Sequence, residues 1–498
     1  MQIFNTIKLN KNSTQHLYIQ LYNQIKTLIT NGDITHHTKL PPIRKLSNLL
    51  AVNNVTIVNA YKLLEQEGYV YKKIGSGTFV EDLNTKNLQS KLINEDIQSF
   101  SEEMNESEIT KDYLNTRSIN FASTAPTPDL FPVDDFKIVL NEVLDRDKGK
   151  AFIYQESEGY YPLRESIKAY IQNYGINTDI ENIQIISGAQ QGIDILSKSL
   201  VEYGDIVFTE SPTYPGAISA FKSRAARIID IPIEKEGIDI KTLQNKLKSF
   251  RPKFIYLMPN FQNPTGYSYS KERKQRLLEL AEEYNTFIIE DDYLSDLSFS
   301  GNVNSTLKSI DSSNRVIYIK SFSKIFMPGL RLAFMIIPKS IYNEVLSAKH
   351  TSDISTSGLI QRAFDLYLNK GKWQKHIQHM EDIYKKRFDI LVESINKYMP
   401  NEISWYIPNG GLNFWLSLPE GYSANELYKL SRKKQVVFVP GSVFFADQRD
   451  STHFRVSIAS VYSKEIPKGI KKLSMLIEVF LKEYKNKQTA MDMYTPYL

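Results

Sequence analysis

Cysteine is absent from this 498-residue chain. That excludes disulfides, thiolate nucleophiles and zinc sites built on cysteine, and it fits a reducing compartment. Long apolar runs are also missing. None approaches the roughly 20 residues needed to span a bilayer, and the start, Met1-Gln-Ile-Phe-Asn-Thr-Ile-Lys8, lacks the apolar core of a signal peptide. A soluble, cytoplasmic protein without a membrane partner is expected. Glycine and proline vanish from 81–117, a stretch with nine acidic and four basic residues. Its length and thin apolar pattern read as a linker, partly helical or mobile, that marks a domain boundary. Acidic residues are scarce at the N-terminus. Residues 1–80 hold nine Lys+Arg and three Asp+Glu, a net +6, and the whole chain is +5, so the rest sums to −1. A basic module on a near-neutral body points to nucleic acid at one end. Hydrophobic residues make up 42% and charged residues 23%, enough apolar material for a sizeable core.

The basic module reads as three helices and a hairpin. Tyr18, Leu21, Tyr22, Ile25, Leu28 and Ile29 recur at helical spacing. Leu40-Pro-Pro-Ile-Arg44 opens a short second helix, Pro42 to Leu50, with proline at its first turn. Asn53 or Asn54 caps a third helix running to about Glu67, with Ile57, Tyr61 and Leu64 on one face and Gly68 as its stop. Tyr69 to Val80 forms two strands joined at Gly75-Ser-Gly77. This is the winged helix-turn-helix plan, whose third helix enters the major groove while the hairpin touches the backbone. The module resembles the GntR family of bacterial transcription regulators in Leu40-Pro-Pro-Ile-Arg44, Val52-Asn-Asn-Val-Thr-Ile57, Leu64-Glu-Gln-Glu-Gly68 and Gly75-Ser-Gly-Thr-Phe-Val80. The resemblance implies DNA contacts from Arg44, from Asn53, Asn54 and Thr56 at the start of the third helix, and from the wing glycines Gly75 and Gly77. One departure stands out: the family usually carries Ser-Arg where this chain has Asn53-Asn54. Arginine reads guanine, whereas asparagine prefers adenine.

From Ile119 to about Tyr484, short β-branched runs alternate with helix-period segments such as Lys271 to Tyr284. That alternation predicts an α/β domain with a mostly parallel sheet covered by helices. The expected domains are 1–80, a linker over 81–117, a ligand-binding domain over 118–485 with a smaller C-terminal subdomain, and a loose tail over 486–498. Ligands bind outside the carboxyl ends of such strands. Ile183–Ile186 is followed by Ser187-Gly-Ala-Gln-Gln-Gly192, Ile206–Phe208 by Glu210-Ser-Pro-Thr-Tyr214, and Phe254–Leu257 by a loop ending Asn263-Pro-Thr-Gly266. Thr286–Ile289 leads into Glu290-Asp-Asp-Tyr293, and Val316–Ile319 into Ser321-Phe-Ser-Lys-Ile-Phe-Met-Pro-Gly-Leu-Arg331. Downstream, His453-Phe-Arg455-Val-Ser-Ile-Ala459 puts an arginine inside a strand-like run.

Together these residues meet the needs of pyridoxal 5′-phosphate (PLP). Lys324 supplies the Schiff-base amine, and Asp291 keeps the pyridine nitrogen protonated. Asn263 and Tyr293 donate to the phenolate oxygen, and Tyr214 stacks on the ring. The Gly188-Ala189-Gln190 turn, Ser321, Ser323 and Arg331 hold the phosphate. Arg455 pairs with an amino-acid carboxylate. No metal is expected.

This order resembles the fold-type I aminotransferases, and joined to a GntR-type winged helix it resembles the MocR subfamily of regulators. That resemblance implies a homodimer with PLP at Lys324. Related enzymes place the acid three residues before the tyrosine, which here is Glu290, but the MocR form of the motif favours Asp291. The expected function is a PLP-dependent, DNA-binding transcriptional regulator that senses PLP, an amino compound or both, with a double-stranded operator as its partner. The alternative is an active aminotransferase carrying an accessory DNA-binding module. In a third reading, the domain is degenerate and dimerises without cofactor.

Overall fold

The computed structural model describes residues 4, 6, 7, 9, 10, 17–30, 33–35, 37–50, 52–66, 69–73, 77–80, 118–299 and 305–492. The expected linker, Gly68 and Gly75 lie outside them. The chain forms two compact units, Met1–Lys111 and Asp112–Leu498.

In the first unit, α1 (Leu17–Thr30), α2 (Ile43–Leu50) and α3 (Asn54–Gln66) precede an antiparallel hairpin of β1 (Val70–Lys73) and β2 (Gly77–Val80). Helical spacing turns Leu21 and Ile25 of α1, Leu46 of α2, and Ile57, Ala60, Tyr61 and Leu64 of α3 into one buried core. Val70 and Val80 close it from the hairpin. The Tyr61 hydroxyl donates to the Pro41 carbonyl at 2.9 Å, which anchors α3 to the loop before α2.

The second unit begins with β3 (Ile119–Asn120) and is built on an eight-stranded sheet. Its members are β4 (Ile183–Ile186), β5 (Ile206–Ser211), β6 (Arg227–Glu234), β7 (Gly237–Ile238), β8 (Phe254–Leu257), β9 (Phe287–Asp292), β10 (Val316–Ser321) and β11 (Ala333–Ile336). They lie in the order β4-β11-β10-β9-β8-β5-β6-β7. Neighbours from β10 through β6 pair parallel, whereas β11 and β7 run antiparallel to their neighbours. Period-two alternation sends successive side chains into separate cores. Ile289 and Tyr256 join one cluster, and Ile288, Ile255 and Leu257 the other.

The smaller C-terminal sheet comprises β12 (Ser404–Trp405), β13 (Asn413–Ser417), β15 (Val439–Pro440) and β16 (His453–Ser457), all paired antiparallel. Between them, β14 (Val436–Val437) pairs parallel with β3 and ties the first residues of the unit to the last part of the chain.

Helix Lys372–Tyr398 links the two sheets. Near its start, buried His376 donates from Nε2 to the Ile325 carbonyl at 2.6 Å, beside Lys324. Three turns on, buried Arg387 donates to the carbonyls of Ile458 and Ala459, just past Arg455. Phe322 and Phe326, either side of Lys324, pack edge-on against Trp373 of the same helix.

One boundary differs from expectation. The last helix, Ile466–Asp492, runs into the stretch read as a loose tail from 486. No glycine or proline occurs over 486–492, so nothing in the chain stops the helix from propagating.

Candidate functional site

Strand register brings the predicted strand ends together. Ile186 at the end of β4 pairs with Ala333, and Ala333 with Ser321 at the end of β10. Ile319 pairs with Asp291, and Leu257 with Glu290. The turns holding Gly188, Asn263 and Lys324 therefore leave the sheet along the edge at which Asp291 ends β9 beside Asp292.

Alternation along β9 separates the two candidate acids. Asp291 shares a face with Ile289 and meets Tyr256, whose hydroxyl donates to Asp291 Oδ2 at 2.6 Å. Glu290 points to the other face and accepts the backbone N–H groups of Leu307 and Lys308 at 2.7 and 2.8 Å. Its carboxylate caps a loop. Asp292 is bound to Tyr318, Ser295 and Lys320. Of the three acids, Asp291 alone keeps a buried oxygen, Oδ1, with no hydrogen-bond partner among the described residues. Burial pushes its carboxyl up to about 6, against the Tyr256 hydrogen bond and the Lys324 charge, which pull it down. Lys324 is half-buried and near enough for that influence.

At the other end of the cluster, Gly188 adopts φ +95° at the head of helix Ala189–Leu200. A Cβ there would stand 2.4 Å from Arg331 Nη2, so the guanidinium lies directly on the glycine. Arg331 also donates to the Ser187 carbonyl at 3.1 Å. Ala189 and Gln190 present the first N–H groups of the helix, which have no partner within it. The Gln190 side chain is engaged elsewhere, donating to the Gly216 carbonyl at 2.9 Å. Gly216 is needed there, since a Cβ would lie 2.6 Å from the Tyr214 ring. Ser321 Oγ accepts from the Ser323 N–H at 3.2 Å and shapes the turn before Lys324.

Arg455 crosses from the C-terminal sheet. It is buried, donates to Asn263 Oδ1 at 2.8 Å and to the Ala122 carbonyl, and lies over the Phe444 ring. Asn263 therefore has its Nδ2 group left as donor. Tyr293 departs from expectation. Its hydroxyl donates to the Phe261 carbonyl and accepts from Asn413 Nδ2 at 3.1 Å, so its proton is not directed at a phenolate. Burial alone would make this hydroxyl seek a carbonyl. The sequence reading missed Tyr256, the support of Asp291. A tyrosine in a wholly buried strand needs a hydrogen-bond partner, and that was the available signal. The contribution of Ala122 had none, since any residue has a carbonyl.

These residues fit PLP. An unpartnered carboxylate oxygen suits a protonated ring nitrogen, a glycine roofed by a guanidinium at a helix start suits a phosphate, and an amine lies near the carboxylate.

The winged module presents its own candidates. Arg44 is exposed on α2. Asn53 Oδ1 accepts from the Val55 N–H at 3.0 Å, and Asn54 Oδ1 accepts from the buried Ser47 hydroxyl at 2.6 Å. Both oxygens are thus engaged at the turn between α2 and α3, which leaves the Nδ2 groups of these exposed residues as their donors toward DNA. Thr56 is half-buried on α3. Gly77 adopts φ +122° at the start of β2, close to Lys39.

Residues 118–473 match the family model for aminotransferase class I and II, and residues 17–80 match that of the bacterial regulatory proteins of the gntR family. The chain is 32% identical to aromatic-amino-acid aminotransferase 1 of Thermococcus litoralis over 73% of its own length and 89% of that protein. It is 28% identical to the HTH-type transcriptional regulator NorG of Staphylococcus aureus, over 87% of its length and 98% of NorG. Among solved structures, Pyrococcus horikoshii kynurenine aminotransferase, in complex with PMP, superposes with a TM-score of 0.72 at 33% identity, covering 76% of this chain and 95% of that one. LysN of Thermus thermophilus, complexed with N-(5′-phosphopyridoxyl)-L-leucine, gives 0.70 at 30% identity, covering 77% and 99%. The donor set and the family agree on PLP as the cofactor of the second unit. The chain belongs to the aminotransferase class I and II family, and its fused gntR-type module gives it the architecture of the MocR-type regulators.

Proposed function

We propose that this protein regulates transcription, with operator binding by the winged module answering to PLP, an amino compound or both at the strand-end site. The observation that carries the reading is the joining, in one chain, of a basic winged module with an exposed α3 face to a cluster whose Asp291 oxygen awaits a donor. The domains are assigned as 1–80 for DNA and 118–485 for the ligand, with 81–117 between them, and the last helix carries the second domain on to Asp492.

Within the site, Asp291 holds the ring nitrogen in its protonated form, and Lys324 offers the amine. Gly188, Ala189, Gln190 and Arg331 grip the phosphate with backbone N–H groups and a guanidinium. Ser321 and Ser323 hold the turn beside it. Asn263 donates through Nδ2, Tyr214 covers a ring face, and Tyr293 buttresses the Asn263 loop through Phe261. Arg455 receives a carboxylate while Asn263 keeps it in place. When bound, PLP supplies an aldehyde reactive toward amines and a ring that accepts electrons. A homodimer is supported by an exposed apolar run at Phe152, Ile153 and Tyr154, the last 81% exposed. A protein acting on an operator works in the cytoplasm.

A ligand shifts operator binding only if it favours one arrangement of the chain over another. DNA from upstream of the chain's own coding region is the probe. Its affinity is measured with PLP, without PLP, and with Lys324→Ala. A several-fold change on adding PLP, absent in the variant, is expected. Equal affinity in all three arms removes the cofactor switch. The aminotransferase alternative is favoured by buried Arg455 beside Asn263. Sustained keto-acid release from amino acids, with no sequence-specific DNA binding, would establish it instead.

A further inference from the structure

Val55, Val58, Asn59 and Lys62 are exposed on α3 at i, i+3, i+4 and i+7, so they form one stripe. The opposite face carries Ile57, Ala60, Tyr61 and Leu64 into the core. The two valines are 60% and 43% exposed. Scattered surface valines are ordinary, but two on consecutive turns at the head of the helix that a winged module presents outward form a surface with its own chemistry. From Asn53 to Asn59 this helix start carries no cation. Arginine, the usual reader of guanine, is absent from it.

The major groove offers the matching chemistry. Thymine displays a C5-methyl group there, which apolar side chains contact, and adenine displays an N6 donor and N7 acceptor that asparagine meets bidentately. Charge complementarity points the same way, since residues 1–80 carry +6 and Lys39, Arg44 and Lys45 are exposed on the same module. Asn53 and Asn54, whose oxygens are held by the fold, keep only their Nδ2 donors, so a bidentate pair with adenine falls to Asn59 on the stripe behind them.

We infer that α3 selects A·T pairs, with Val55 and Val58 packing on thymine C5-methyl groups and Asn59 pairing with adenine. Lys62, farther along the stripe, contacts phosphate and sets position without sequence information. The inference rests on the DNA-binding reading proposed above and adds base chemistry to it.

The test takes the full-length, PLP-loaded chain and a random double-stranded DNA library and selects the bound sites. Binding to the selected site is compared with versions in which deoxyuridine replaces each thymidine in turn, removing only the methyl group. Affinity is expected to fall about four-fold for each contacted methyl, the worth of one buried methyl-sized group. Val55→Ala combined with Val58→Ala is expected to bind thymine and uracil forms equally. Asn59→Ala relaxes the preference for adenine at one position. All three side chains are exposed, so thermal unfolding of the variants stays at the wild-type value. A selected site indifferent to uracil, or a thymine preference that survives both valine substitutions, overturns the inference and leaves the DNA-binding reading standing. Selection of no sequence at all overturns both.

Discussion

The two units hold their candidate contacts in opposite ways. On α3, Val55, Val58, Asn59 and Lys62 stand in water, and the fold gives them only a direction. At the strand ends, side chains are held by their neighbours: Asp291 by the Tyr256 hydroxyl, Asn263 by the Arg455 guanidinium, Arg331 by the Ser187 carbonyl, Gln190 by the Gly216 carbonyl. The contrast follows from ligand size. DNA is large and polyanionic, so it can order exposed side chains on contact at some entropic cost. A small cofactor offers few atoms, so its site must be organised beforehand. Substitution on α3 should therefore change affinity by small increments, whereas substitution at the strand ends should disturb geometry and charge together.

Asp291→Asn breaks that contrast most sharply. The amide keeps the volume and can still accept from Tyr256, but it loses the charge that faces the ring nitrogen. Hydrogen bonds to charged groups are worth about 1.5–3 kcal/mol, so PLP affinity should fall ten- to a hundred-fold at pH 8. Since burial raises this carboxyl to about 6, wild-type affinity should itself decline as pH drops below that value. The Asn variant should be flat across the same range. Fluorescence titration with PLP from pH 8 to 5 reads both, and parallel profiles would remove Asp291 from the site.

A smaller effect is expected at Gly188, where alanine meets both φ +95° and the Arg331 guanidinium. Strain of this kind is worth about 1–3 kcal/mol. The loss should fall on PLP and spare pyridoxal, which lacks the phosphate, when the two are titrated side by side. Equal losses would mean that the turn does not hold the phosphate.

Smallest of all is Glu210→Gln. Glu210 is buried and bound to Tyr269, Gln262 and the Met258 N–H, none of them a cation, and burial raises it to about 7. A carboxyl whose folded value lies above its free value favours folding while protonated. That contribution is complete below about 4.5 and is lost as pH rises through 7. Glutamine imitates the protonated form. It should raise stability on the order of 1 kcal/mol at pH 8 and leave it unchanged at pH 5. Denaturant unfolding at the two pH values checks this, and a loss at pH 8 would show that the carboxylate form is needed.

Much of this was legible in the sequence. Buried parallel strands are short apolar runs, and the residues that end or follow each carried its chemistry in plain view: Gly188, Asn263, Asp291, Lys324. The winged module was legible because its helices alternate core and surface at 3.6 residues. What stayed hidden depends on faces and partners. Glu290 and Asp291 are neighbours in the chain, and only the sheet shows that one turns to a loop and the other to Tyr256. The Tyr293 proton belongs to a carbonyl that sequence does not single out. The bond from Ser47 to Asn54 joins two helices, and neither helix's pattern announces it.

Helix Lys372–Tyr398 acts as a caliper. His376 grips the backbone beside Lys324, and Arg387 grips the backbone past Arg455. Eleven residues of helix rise separate these grips, about 16 Å along a stiff axis. The backbone next to Lys324 and the backbone just past Arg455 in β16 are therefore both fastened to one rod. A substitution that bends the rod or loosens either grip should therefore shift those two backbone segments relative to each other, far from the residue that was changed.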